Sequence, residues 1–384
     1  MGGGPFEQAE LRAARIREGL RRIREAIPRL SQLDPELGRR LQARVGPLDD
    51  LEKRLSGHDG GTPDSVRKAI ADGEALVGEA LAFVTAAAAS WLGLGGQTIS
   101  LAQAWLDRLS RDAGLPLVGL VVPASTEYTG MHDQVVRLLM PDDGVWGLPV
   151  AVHEYGHFAA SVLARRESEG GIPQDAKPVE KLLYETAVAE ERPKPYWHGH
   201  ELFADAFAAA VAGPAYTRYC VEYRFDPARA YDENDTHPCF IRRMNVQLQV
   251  LEALGRRPQE WGGYLAAEVA DIRRSWEAMI ATREPGTVPA NPALDSVRER
   301  LVDIVLNDPR IRQIHYGGHT TANELGKKLP QSCPASVTPA VIINAAWITR
   351  MSLAADPGDD RAAAALEDLA TRTELLLRKA CTSG

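Results

Sequence analysis

Two histidines four residues apart, His153 and His157, with Glu154 directly after the first, constrain this chain more than any other feature. Residues at that spacing share a face only when the backbone is helical. The run His153-Glu154-Tyr155-Gly156-His157 therefore predicts a helix with two imidazoles aimed the same way. Val150, Val152, Phe158 and Val162 give that helix an apolar side, so it is expected to pack into a core. Glu154 sits beside the imidazole face rather than on it.

What surrounds this helix has a different character. LPLVGLVVPAS (115–125) is β-branched and bounded by Pro and Gly, which reads as a buried strand. VVRLLMP (135–141) is a second strand candidate, closed by the turn Pro141-Asp142-Asp143-Gly144. A helix is then expected from Trp146 to Arg166, with Pro149 tolerated in its first turn. From about residue 195 onward the pattern is again helical. The fold class predicted is mainly α (α+β): a core with a small β-sheet, flanked by N- and C-terminal helical regions. Its divisions are a possible interaction region at 1–58, a helical layer at 62–112, a core at 113–245 and a C-terminal helical domain at 246–384.

At the N-terminal end, Ala9, Ala13, Ile16, Leu20, Ile23, Ile27 and Leu30 form one narrow apolar stripe with alternating spacing of four and three. This is either a helical layer on the body of the protein or a helix that pairs with a partner or a second copy. Asp34-Pro35 opens a second helix that ends near Gly46-Pro47, a third covers 48–56, and 57–65 is a turn before a longer helix. The uncharged stretch Ala80–Gly96 is dominated by Ala and Gly and is too weakly apolar to span a bilayer, so it reads as a buried helix.

Composition excludes several function classes. The net charge is −8 with no basic run outside helical patterns, and duplex binding needs a concentrated Lys/Arg surface, so nucleic acid is not expected as a partner. MGGGPFEQAELRAARIREGL has no apolar h-region. Cys220, Cys239, Cys333 and Cys381 show no CxxC pairing and read as reduced thiols. A cytoplasmic address follows as the expectation, and membrane contact is not expected, given the weakly apolar Ala80–Gly96 stretch.

Two imidazoles on one helix face suit a zinc ion, and a catalytic zinc needs a third protein ligand and one open position. A His six residues after His157 is excluded, because that position is Leu163. The candidate lies in HGHELFADAFAAAVAGPAY (198–216), where Glu201 and Asp205 are four apart on an Ala-rich helix. The alternative for Glu201 is a solvated carboxylate at a helix start. His200, its neighbour, is a rival ligand, and His198 and His200 otherwise read as loop histidines lining a site. In YDENDTHPCFIRRMN (231–245), Arg242 or Arg243 can bind an oxyanion or a substrate carboxylate. The plainer reading makes Thr236-His237-Pro238 a helix-entry turn capped by Thr236. Tyr128 can offer a phenol to the same oxyanion, or be an ordinary core tyrosine. Tyr196, Trp197 and His198 either line a cleft or anchor a loop.

HExxH followed by Glu-x-x-x-Asp on a later helix resembles the gluzincin, thermolysin-like zinc metallopeptidases. The resemblance covers about 115–245. It implies a zincin-like core, Zn2+ on His153, His157 and Glu201, Glu154 as general base, and Asp205 accepting the ring N–H of His153. It further implies His237 at the oxyanion and a peptide or protein substrate lying along an edge strand. Residues 115–122 and 135–140 are both candidates for that edge. The competing class is a partner-binding or regulatory protein on a zincin scaffold, or a zinc amidohydrolase of a non-peptide substrate.

Overall fold

The computed structural model describes residues 5–33, 96–115, 120–124, 128–130, 135–139, 144–169, 194–257, 262–281, 286–288, 290–327, 337–353 and 360–382, with isolated positions at 35, 70, 77, 84–85, 88, 179 and 181–183. The expected helices at 35–46 and 48–56, the 57–65 turn, most of Ala80–Gly96 and the 141–143 turn lie outside these residues.

Helix α1 (Pro5–Leu33) buries Ile16, Leu20, Ile23 and Ile27 while Arg15, Arg17, Arg21 and Arg22 face solvent. The stripe is covered from within the chain at least at one point. A Cβ on Gly19 would lie 2.5 Å from Val77 Cγ1, so the glycine admits that neighbour. Helix α2 (Gly96–Asp112) follows, its Trp105 and Leu106 buried.

The sheet has three described strands, β1 (Leu120–Ala124), β2 (Tyr128–Gly130) and β3 (Val135–Leu139), in the order β1-β3-β2. β3 pairs parallel with β1, Val121 opposite Val136, and antiparallel with β2, Thr129 opposite Val136. The 135–139 strand is therefore central among the described strands, which corrects its candidacy as the edge. Among the described strands β1 lies at an edge, where its internal Pro123 is tolerated, but the Val121 N–H is already capped by Gln103 Oε1 of α2 at 2.7 Å. Positions 116–119 and 125 of the expected 115–125 strand lie outside the described residues.

A 3-10 turn, Gly144–Trp146, leads into α3 (Leu148–Glu169), which carries the two histidines. Helix α4 (Lys194–Ala212) lies across α3 and makes with it the most extensive helix pair among the described residues. Everything from Leu202 to Ala212 on α4 is buried. Only small side chains let a helix be surrounded this completely, which is what its alanines provide. α4 ends at Gly213, whose φ of 69° is left-handed and suits glycine, and Pro214 opens α5 (Pro214–Tyr219). The break is bridged by buried Asn344: its Oδ1 accepts the Ala215 N–H at 2.8 Å and its Nδ2 donates to the Ala212 carbonyl at 2.7 Å. A π-helical turn (Cys220–Arg224) follows α5.

The remaining helices are α6 (Phe240–Gly255), α7 (Gly262–Ala281), α8 (Pro292–Asn307), α9 (Pro309–Gln313), α10 (His319–Lys327), α11 (Pro339–Leu353) and α12 (Asp360–Thr382). α6, α8 and α11 pack on α4, and α12 packs on α2 and α11. One continuous set of buried residues runs from Ile99 on α2 to Cys381 on α12, so the 246–384 helices share their core with the strand-and-helix segment. Among the described residues no helix is long and apolar enough to cross a membrane. Cys220, Cys239 and Cys381 are unbridged and buried; Cys333 lies outside the described residues.

Candidate metal centre

The site forms where α3 crosses α4, and Gly156 sets how close they come. A Cβ there would lie 2.8 Å from Ala204 Cα and 3.2 Å from the Ala204 carbonyl oxygen, both backbone atoms. Only glycine admits that approach. It brings Glu201 to the imidazole pair: Oε1 is 3.3 Å from His157 Nε2, and Oε2 is 3.6 Å from His153 Nε2. The ligand atoms of His153, His157 and Glu201 all lie within 4.8 Å of one another.

Asp205, one turn after Glu201 and fully buried, lies 3.2 Å from His153 Nδ1 through Oδ1. The Tyr216 hydroxyl donates to the same Oδ1 at 2.5 Å and stands 3.0 Å from His153 Nδ1. Its ring stacks on His153, 5.7 Å between centroids. Burial and the Asp205 charge push the Tyr216 phenol well above its ordinary pKa, so it keeps its proton. That single proton is spent on Asp205. The contact to Nδ1 must then carry the imidazole's own hydrogen, so that in the neutral ring the lone pair lies on Nε2. Nε2 is buried and, among the described residues, has no hydrogen-bond partner.

Arg243 on α6 forks onto Asp205, Nε to Oδ2 at 2.7 Å and Nη2 to Oδ1 at 2.9 Å, and reaches Glu201 Oε2 at 3.1 Å. At 2% exposure its guanidinium is committed inward. This corrects the expectation of a substrate-binding arginine: Arg243 holds the carboxylates in place. Burial is the largest single effect and acts to raise the pKa of both acids, but Arg243 and the neighbouring histidines together overcome it. Glu201 is held well below the ordinary carboxylate range and Asp205 below its own. Burial likewise acts to lower the pKa of His153, and the Asp205 and Glu201 carboxylates overcome it, for a net rise.

The donor set fits zinc. With metal–ligand bonds of about 2.0–2.2 Å, a tetrahedral site has ligand–ligand edges of about 3.3–3.6 Å; each imidazole lies within that range of one oxygen of Glu201, His157 of Oε1 and His153 of Oε2. Two imidazole nitrogens and one carboxylate also form a recognised catalytic zinc set. Glu154 is buried beside the pair, its Oε1 4.0 Å from Arg224 Nη2 of the π turn.

The other predicted residues fall as follows. His237 Nε2 lies 3.4 Å from Glu201 Oε1 with a half-exposed side chain, so it does join the cluster. His200 is buried within α4, its ring 6.2 Å from that of His157 and 4.7 Å from Tyr196. His198 is buried on the same helix. Because α4 begins at Lys194, neither is a loop histidine, and Glu201 is not at a helix start. Arg242 pairs with Asp295 on α8. Tyr128 sits on β2 opposite Arg137. Thr236 is not the cap of α6; the N-cap is Cys239, with no side-chain bond.

Sequence reasoning missed Tyr216, Arg224 and the part played by Gly156. A glycine inside a helix costs about 1 kcal/mol relative to alanine, so its place between the two ligands was a usable sign of close packing. Tyr216 carries no such signal, because only the α4–α5 break brings its hydroxyl back to Asp205. No family model, curated protein or solved structure matches the chain.

Proposed function

We propose that this chain is a zinc-dependent hydrolase that cleaves peptide bonds, with the ion on His153, His157 and Glu201 and Glu154 as general base. The observation that carries the reading is the convergence of two imidazole Nε2 atoms and one carboxylate at 3.3 and 3.6 Å across two helices. When bound there, zinc supplies Lewis acidity toward a carbonyl and lowers the pKa of a water toward about 7.

The chain's own residues do the rest. Glu154 takes a proton from the attacking water and returns it to the leaving amine nitrogen as the C–N bond breaks. Asp205 and Tyr216 fix the His153 tautomer so that Nε2 faces inward, and Arg243 keeps Glu201 ionised and oriented. The short β2 strand, at the edge of the described sheet, offers an extended substrate a partner for strand addition.

The test is Glu154→Gln. On this reading the variant keeps zinc stoichiometry, measured by elemental analysis, and loses at least about a hundredfold in peptide turnover, as expected for removal of a general base. His153→Ala and Glu201→Ala, by contrast, lose zinc. Unchanged turnover in Glu154→Gln would point instead to a partner-binding protein on a zincin scaffold. Full zinc occupancy in Glu201→Ala would remove the third ligand from the proposal.

A further inference from the structure

We infer that His237 is a fourth, displaceable ligand of the metal, closing the resting site from the loop that joins the π turn to α6; the inference rests on the zinc reading above. The loop is tied to α4 at two successive residues. Lys194 Nζ pairs with Glu233 Oε1 at 2.8 Å, and buried His198 hydrogen-bonds through Nε2 to the Asn234 carbonyl at 2.7 Å. Asn234 then folds the loop back on itself. Its N–H donates to the His237 carbonyl at 3.1 Å, and its side-chain oxygen accepts from the backbone N–H of Thr236 at 2.8 Å and of His237 at 2.7 Å.

Those two N–H contacts identify the Asn234 atom as oxygen, and proton counting follows from it. The Thr236 hydroxyl lies 3.1 Å from the same oxygen, so it donates there. With the hydroxyl hydrogen on Asn234, the 2.7 Å contact with His237 Nδ1 is met by the imidazole's own hydrogen. In this tautomer the lone pair of Nε2 lies 3.4 Å from Glu201 Oε1. A lone pair and a carboxylate oxygen repel each other at that distance unless a cation lies between them. The separation is again about a tetrahedral ligand–ligand edge.

His237 differs from the other ligands in its support. His153, His157 and Glu201 stand on two packed helices, whereas the His237 side chain is 45% exposed on a loop. It also lies outside the trio whose ligand atoms are all within 4.8 Å of one another, so coordination draws the loop inward. The ligand with the weakest support is the one that gives way to substrate or water.

The experiment loads metal-free protein with Co2+ and with Zn2+. It compares wild type, His237→Ala and Thr236→Val by visible absorption of the Co2+ form and by Zn2+ affinity in chelator competition. Expected for His237→Ala are a changed Co2+ spectrum, restored toward wild type by free imidazole, and at least about a tenfold loss of Zn2+ affinity. Thr236→Val is expected to show a smaller loss in the same direction, because the Nδ1 hydrogen loses its acceptor. An identical spectrum and affinity in His237→Ala and wild type would overturn the inference and leave the three-ligand site standing. Wild type that binds no more metal than His153→Ala would overturn the zinc reading and this inference together.

Discussion

At the residue scale, the orientation of His153 depends on the Tyr216 hydroxyl, which gives its proton to Asp205, and on Asp205, which holds Nδ1. Removing that hydroxyl leaves the carboxylate with Arg243 and His153 and loosens the hold on the ring. Tyr216→Phe is expected to lower zinc affinity by about tenfold, and Asp205→Ala by more, within the 10–100-fold range typical of groups that orient metal ligands. Chelator competition measures both. Equal affinity in Tyr216→Phe and wild type would show that the hydroxyl orients nothing. The buried thiol of Cys220 lies close to this network but is pushed up to about 12 by burial, so it stays protonated and takes no part as a nucleophile or ligand.

At the element scale, two helix features decide the site. The first is the α3–α4 crossing at Gly156. Two effects of Gly156→Ala oppose each other: alanine favours the helix by about 1 kcal/mol, while forcing a Cβ against the Ala204 backbone costs about 1–3 kcal/mol. Because the 2.8 Å contact is to backbone and cannot be relieved by a rotamer change, the steric cost is expected to win. The variant should unfold at lower denaturant and bind zinc less tightly. A Gly156→Ala protein more stable than wild type would refute the close-approach argument. The second feature is the α4–α5 break, where Asn344 joins the Ala212 carbonyl to the Ala215 N–H. Asn344→Ala leaves both buried groups unpaired, a loss on the order of 3 kcal/mol, readable as a shift in the denaturation midpoint. Since Tyr216 hangs from α5, that variant should also weaken zinc binding; intact affinity would separate the break from the site.

At the scale of the whole molecule, the helices beyond 246 are bound to the site through the shared core, and their own titration reaches global stability. His315 illustrates it. Its Nε2 donates to the Val305 carbonyl at 2.9 Å and its Nδ1 accepts from Arg257 at 3.0 Å, so the ring is held neutral beside a cation. Burial first, and Arg257 after it, lower its pKa from 6.5 to about 4. The unfolded chain takes up a proton below pH 6.5 that the folded chain refuses until about pH 4. Stability is therefore intact above pH 6.5 and falls between 6.5 and 4, by at most about 1.4 kcal/mol per pH unit from this group. Denaturant melts across that window should show a shallower decline in His315→Gln. A slope unchanged by the substitution would assign the acid sensitivity elsewhere.

What the chain determined by itself was what local pattern and composition write: a helix bearing His153 and His157 on one face, an Ala-rich helix bearing Glu201 and Asp205, β-branched strand segments within 115–125 and 135–141, and an apolar stripe on α1. These follow from helical spacing, β-branched runs and turn residues, which need no knowledge of neighbours. Tertiary structure alone decided that Arg243 faces inward to the carboxylates, that Tyr216 closes the network, that 135–139 is the middle strand and that His198 anchors the His237 loop. Each is a contact between residues distant in sequence. No repeat encodes such a meeting, because it depends on how closely two packed elements approach, and here that distance is set by the missing side chain of Gly156.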